Sequence, residues 1–260
     1  MGDKLCIVTG TSSGIGRALV DQLLADNWDV VGIARRHVTV DDARYRHVAL
    51  DLADTAAVER CFAGDFARQV SLADYGRIGL VNNAATVEPI TPSARLSLAD
   101  FELATRLNLV VPVWLMGWLV RSAPRAALRI LNVSSGAATV PLPSWSAYCA
   151  TKAGLRHAGA VFGAEQAAYG PAGGAHPDLA IVSYSPGIVD TEMQVTIRGH
   201  SAEDFPQVHR FVGMYDAGQL DGPQVPAADM VTWLNRDDLP PFSEGAISGY
   251  AERVQGVRED

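Results

Sequence analysis

KLCIVTGTSSGIGRALVDQL, residues 4–23, is the stretch on which the fold turns. Lys4 to Thr9 is a short apolar run, as a strand buried on both faces requires. Gly10-Thr11-Ser12-Ser13-Gly14-Ile15-Gly16 follows at once, and Ile15, Ala18, Leu19 and Leu23 then repeat at helical spacing. Strand, glycine turn and helix in that order are the context of a dinucleotide fingerprint. Glycines there let the backbone approach a pyrophosphate resting on the helix N-terminus. That makes Gly10, Ser12, Ser13, Gly14, Ile15 and Gly16 candidate cofactor contacts. The spacing is G-x-x-x-G-x-G rather than G-x-G-x-x-G, and one glycine turn alone is a weak signal.

The following segments extend the pattern. Residues 29–34 (DVVGIA) read as a second strand and end in Arg35-Arg36-His37. An acid there would take a ribose 2′-hydroxyl, whereas arginine suits a 2′-phosphate, so the residue chemistry points to NADP(H). Arg35 directly follows the strand and stands ahead of Arg36; the alternative is two solvated arginines. Residues 45–52 make a third strand, with Asp51 and Leu52 placed to carry an adenine ring. Residues 78–81 make a fourth and run into Asn82-Asn83-Ala84-Ala85, which suits close packing against a ligand or a simple turn.

Ser97 followed by Asp100 marks a helix start, and that helix continues to about Ser122. Asn108 lies within it in apolar company, as a structural hydrogen bonder or as part of a proton path. Residues 128–133 form a fifth strand that delivers Ser134 and Ser135. Residues 179–184 form a sixth, ending at Ser185-Pro186-Gly187. Residues 190–220 read as an irregular excursion, a candidate substrate lid. A last helix is expected over 224–234 and a last strand over 246–251. With no repeat and no linker, residues 1–260 read as one domain.

Composition narrows the function. The 48% hydrophobic and 19% charged residues describe an ordinary well-buried chain. A net charge of −8 argues against a nucleic-acid surface and against docking on an anionic membrane. The apolar run 107–120 is broken by Asn108, Pro112 and Gly117, and reads as a buried helix rather than a membrane span. Cys6, Cys61 and Cys149 are too scattered for a disulfide framework or a C-x-x-C metal site, and no histidine pair has ligand spacing, so no metal is expected. With no signal-peptide pattern, the expectation is a soluble cytoplasmic protein.

The chemistry concentrates in SSGAATVPLPSWSAYCATK, residues 134–152. If residues 145–160 are helical, Tyr148 and Lys152 lie one turn apart on the same face. An ammonium beside a phenol favours the phenolate; moving its pKa from about 10 to near 7 takes roughly 4 kcal/mol. The product is a general acid for a carbonyl oxygen at neutral pH. The plainer alternative is a ring at the core edge with a lysine reaching past it to water.

Together these motifs resemble the short-chain dehydrogenase/reductase family across nearly the whole chain. They occur in order: Thr9-Gly10-x-x-x-Gly14-x-Gly16, Asn82-Asn83-Ala84, Asn108, Ser135, Tyr148-x-x-x-Lys152 and Pro186-Gly187. The resemblance implies an α/β fold, a doubly wound parallel sheet of the Rossmann type in three layers, as a single NADP-binding domain. It implies that Tyr148 protonates the carbonyl oxygen and that Ser135, preferred over Ser134 by its distance from the tyrosine, hydrogen-bonds it. It gives Lys152 the nicotinamide ribose, Asn108 a water that refills the proton, and Asn83, Ala84 and Ala85 a place along the cofactor. Pro186, Gly187, Val189 and Thr191 would meet the nicotinamide and diphosphate. Ala85 replaces the family's glycine, and its methyl crowds the approach slightly.

Finer resemblance, in Asn82 to Ile90 and Ser185 to Gln194, is to the branch containing sepiapterin and benzil reductases, which implies NADPH and a small ketone or diketone substrate. The carboxyl end, 248–253, does not match that branch. Trp145, Met193, Gln194, Ile197 and Phe211 are either pocket lining for a bulky ketone or ordinary packing. The rivals are oxidation of a secondary alcohol, 3-oxoacyl reduction, or an NADP(H)-binding sensor without turnover. Apolar faces at 107–120 and 158–168 suggest a homodimer or homotetramer.

Overall fold

The computed structural model describes residues 3–170, 173 and 175–247. Seven strands, β1 (Lys4–Thr9), β2 (Asp29–Ala34), β3 (Tyr45–Ala49), β4 (Arg77–Asn82), β5 (Ala127–Val133), β6 (Leu179–Ser185) and β7 (Phe242–Ala246), form one sheet in the order β3-β2-β1-β4-β5-β6-β7. Every neighbouring pair is parallel. The strand order reverses between β1 and β4, and in such sheets the crevice beyond the carboxyl ends at that reversal is where ligands bind.

Helices cover both faces, which is why the central strands are apolar throughout. One face carries α1 (Gly14–Ala25) and α9 (Gln224–Asn235), which pack on each other. Cys6 and Val8 of β1 face these helices and meet Leu19, Leu23, Trp28, Met230 and Leu234. Leu5 and Ile7, on the alternate face, join a larger cluster with Phe62, Phe66, Leu115, Trp118 and Leu155. That second face is covered by α2 (Thr55–Arg60), α3 (Phe66–Gln69), α5 (Val111–Ser122) and α6 (Ser146–Tyr169). A third cluster, Val87, Ile90, Trp145, Tyr148, Phe205 and Phe211, lies apart from the first two.

The structure differs from the sequence-based expectation in several elements. The helix begun at Ser97 is not uniform: α4 (Leu98–Thr105) passes through a π turn at Arg106–Val110 before α5. By length and hydropathy the whole helix Leu98–Ser122 does qualify as a membrane span, contrary to the expectation, but Val111, Leu115, Met116 and Leu119 are buried in the core. Its outer side leaves Leu98, Leu103 and Val110 exposed, as α6 leaves Val161. The 190–220 excursion is not irregular: α7 (Glu192–Arg198) and α8 (Val208–Asp216) form in it, with Ile197, Val208 and Phe211 turned inward. The last strand is Phe242–Ala246, not 246–251; its register against β6 runs from Ile181↔Phe242 to Ser185↔Ala246. Residues 248–251 of the expected strand lie outside the described residues. The third strand ends at Ala49, so Asp51 and Leu52 stand in the loop beyond it.

Candidate active site

A cleft of about 1130 Å³ runs along the carboxyl ends of the strands. At one end the glycine turn is held by backbone stitching. Gly10 and Gly14 have φ of +75° and +55°, a region that disfavours side chains. Asn83 Nδ2 donates to the carbonyls of Thr9 (2.9 Å) and Gly10 (3.3 Å). Thr9 Oγ1 donates to Val81 O and accepts from the Asn83 and Ala84 amides, both at 3.0 Å. The ends of β1 and β4 are thereby locked together at the strand-order reversal. Gly16 does not line the cleft. A Cβ there would lie 2.2 Å from Gly10 O, so this glycine lets α1 pack against the turn.

Ser12, Ser13, Gly14 and Ile15 line the cleft with Gly10, and so do Arg35, Arg36, Asp51, Leu52, Asn83, Ala84 and Ala85. Arg35 is exposed and has no hydrogen-bond or ion-pair partner among the described residues. Arg36 is engaged: it donates to Ser12 Oγ and Ser13 Oγ and pairs with Glu192 Oε2 at 3.0 Å. Asp51 is turned to its own loop, accepting from the Ala53 amide. Pro186, Gly187, Val189 and Thr191 form the opposite wall. Thr191 comes so close that a Cβ on Gly14 would lie 3.1 Å from its methyl.

Farther along stand Ser135, Tyr148 and Lys152, all lining the same cleft. Ser135 caps a short turn; its Oγ accepts from the Ala137 amide at 3.2 Å, which leaves the hydroxyl proton to donate. Tyr148 is 7% exposed, its ring edge-on to Trp145 at 5.3 Å. Lys152 is buried, its Nζ donating to Val133 O at 2.7 Å and lying 5.5 Å from the centre of the Tyr148 ring. Burial pushes this ammonium down to about 8, since no water is left to solvate the charge. Among the described residues no carboxylate pairs with it.

Asn108, the remaining sequence candidate, is not in the cleft. It sits in the π turn, 1% exposed, one layer behind. Its Oδ1 accepts from Thr86 N, and its Nδ2 donates to Thr86 O and Thr151 Oγ1. Both amide donors are therefore spent on protein, fixing one cleft-lining residue and the neighbour of Lys152. Thr151 was not legible as a candidate; its only signal is its place between the tyrosine and the lysine.

At the far end the wall is aromatic. Trp145 stacks on Phe205 (5.1 Å between centroids, 7° between planes) and tilts against Phe211. Met193, Gln194 and Ile197 come from α7 to the same end of the cleft. Sequence reasoning missed Phe205, and also Glu192, whose Arg36 partner is 156 residues away. Among the described residues no group of three His, Cys, Asp or Glu side chains is placed to hold a metal ion.

The glycine cradle and the helix N-terminus fit the pyrophosphate of a dinucleotide, and fold and site together are those of an oxidoreductase that uses a nicotinamide cofactor. Residues 4–202 match the short chain dehydrogenase family, and the chain belongs to it. It is 32% identical to a benzil reductase ((S)-benzoin forming) of Bacillus subtilis (strain 168) over 90% of this chain and 94% of that one. It is 26% identical to a sepiapterin reductase of Xenopus tropicalis over 91% and 92% of the two chains. Among solved structures, the KRED1-Pglu enzyme superposes with a TM-score of 0.74 at 27% identity, over 92% of this chain and all of that one.

Proposed function

We propose that this protein is an NADPH-dependent carbonyl reductase acting on a small ketone or 1,2-diketone, with Tyr148 as general acid. The observation that carries the reading is Lys152. A structural lysine would pair with a carboxylate or reach past the core to water. This one is held dry, 5.5 Å from a phenol ring, at a cost of about 3 kcal/mol for a pKa lowered to about 8. At pH 7 it is still about nine-tenths protonated. A positive charge beside the ring favours the phenolate over the phenol. A hydrogen-bond donor at the reacting oxygen adds to that stabilisation.

The cofactor would be held by the glycine turn and the first turn of α1 at its pyrophosphate, by Asp51 and Leu52 at the adenine, and by Arg35 and Arg36 at a 2′-phosphate. Asn83, Ala84, Ala85, Pro186, Gly187, Val189 and Thr191 would flank the rest, with Lys152 at the nicotinamide ribose. When bound, the reduced nicotinamide supplies a hydride to the carbonyl carbon. Tyr148 gives its proton to the carbonyl oxygen, and the phenolate left behind is stabilised by the Lys152 ammonium. Ser135 donates a hydrogen bond to the same oxygen, where charge develops. Asn108 acts by fixing Thr86 and Thr151 rather than by touching substrate. The apolar wall of Trp145, Met193, Ile197 and Phe211, together with the activity carried by the Bacillus subtilis relative, supports an aryl ketone or diketone.

Benzil and NADPH, followed by nicotinamide absorbance, test the reading. Wild-type protein should oxidise the cofactor, and Tyr148→Phe should lose at least about a hundredfold in kcat. Wild-type turnover in that variant would remove Tyr148 from the role. Tight NADPH binding with no turnover across a panel of carbonyl compounds would favour a sensor instead.

A further inference from the structure

The bridge between Arg36 and Glu192 plays no part in the proton chemistry. Glu192 opens α7, directly after Thr191, and its carboxylate reaches back across the mouth of the cleft to the glycine turn. Its Oε2 accepts from Ser13 Oγ at 3.1 Å and from Arg36 Nη2 at 3.0 Å; its Oε1 lies 3.5 Å from Arg36 Nη1. Arg36 also donates to Ser12 and Ser13. Guanidinium and hydroxyls at a glycine turn are the donors that a phosphate oxygen takes. A carboxylate offers the same acceptor chemistry, so here one anionic side chain holds what an anionic ligand would use. The guanidinium and hydroxyl hold the Glu192 carboxyl below the usual carboxylate range, so it stays charged at neutral pH.

We propose that Glu192 is a specificity-determining residue: its carboxylate competes with the cofactor's 2′-phosphate for Arg36, and so sets how strongly the protein prefers the phosphorylated dinucleotide. The inference rests on the NADP(H) reading above. Both side chains of the bridge are more than 60% exposed, and an exposed pair of this kind is worth at most about a factor of five in an equilibrium. The bridge is therefore weak enough to be displaced by a dianionic phosphate, yet strong enough to shift an affinity measurably. A dinucleotide without the 2′-phosphate offers Arg36 nothing in exchange, so only the phosphorylated form feels the competition at that residue.

The test is binding of NADPH and of NADH, by calorimetry at fixed low ionic strength, to wild-type protein, Glu192→Gln, Arg36→Gln and the double variant. Glu192→Gln should bind NADPH about fivefold tighter and NADH less than twofold tighter. With Arg36→Gln in place, the same change at 192 should alter NADPH affinity by less than twofold. NADPH binding weakened or unchanged by Glu192→Gln, in a protein whose wild type prefers NADPH, would overturn the proposal and make Glu192 a strut for α7. Failure of the NADP(H) reading shows separately, in the wild type alone, as equal or better binding of NADH; the proposal then falls with it.

Discussion

At the glycine-turn end of the cleft the walls are backbone; at the Trp145 end they are aromatic side chains. Asn83 and Thr9 tie five backbone groups to one another, and Gly10, Gly14 and Gly16 keep Cβ atoms out of the way. The opposite end rests on a stack of Trp145 and Phe205 with Phe211 tilted against it, tied to the rest by exposed pairs such as Arg95–Asp204 and Glu88–His200. Few residue types meet the stereochemical demands of the first end, whereas many combinations of apolar side chains fill the second. On the proposed function, the first end would hold the cofactor and the second would tell substrates apart.

The largest expected effect tests how little slack the backbone end has. In Gly16→Ala the new Cβ would sit 2.2 Å from Gly10 O and 2.6 Å from Asn83 Nδ2, both fixed by hydrogen bonds. Helix α1 must shift, with an expected loss of about 3 kcal/mol in urea denaturation and loss of dinucleotide binding. Gly213→Ala is the counterpart in the other half: it lies within α8 with nothing within 4 Å of a new Cβ. There the helix should gain about 0.5–1 kcal/mol. Equal effects at the two glycines would erase the contrast.

The same contrast explains what could be read from the sequence. β1, the glycine turn and α1 were legible because strand period, positive-φ glycines and helical spacing are all local. Tyr148 and Lys152 were legible as one helix face. The acceptor that holds Lys152, the Val133 carbonyl, carries no side-chain signal at all. α7 and α8 were read as irregular because they are short, with Gly199 and Pro206 between them and Gly213 within α8, and because their burial depends on Trp145, distant in sequence. β7 was displaced because FSEGA is an edge strand, held by pairing with β6 rather than by apolar content. The meeting of Glu192 with Arg36 rests on tertiary geometry alone.

Lys152 stands where the two halves join, and its burial should appear as a pH dependence of stability. With a folded pKa of about 8 against 10.5 unfolded, the unfolded chain binds more protons between those values, so stability rises with pH across that window. Lys152→Met lacks this term. Wild-type stability should therefore gain on the variant by about 3 kcal/mol between pH 8 and 10.5 and hold a constant offset below pH 7. The lost donor to Val133 O adds only a pH-independent difference, about 1–3 kcal/mol. Parallel curves through the window would mean that the ammonium is solvated. In wild-type protein, reduction should fall off above about pH 8, as the charge that stabilises the phenolate is lost.

Phe205→Ala gives a small loss of stability and the sharpest test of whether the aromatic end is a unit apart. Phe205 is fully buried, and in a sheet core such a truncation costs about 3–5 kcal/mol. Its cluster is separate from the two that sandwich the sheet, and the side-chain pairs at its surface, Arg95–Asp204 and Glu88–His200, are at least partly exposed and of little individual worth. Local opening of residues 199–220, beyond α7, can then relieve the cavity without unfolding the strands. The expected result is a loss of about 1 kcal/mol in global unfolding, with faster amide exchange confined to 199–220. KM for an aryl ketone should rise about tenfold while NADPH affinity holds, because Thr191 and Glu192, which meet the glycine turn, lie outside the segment expected to open. A loss near the full core value, with NADPH binding weakened in step, would show that the aromatic end and the backbone end fold as one.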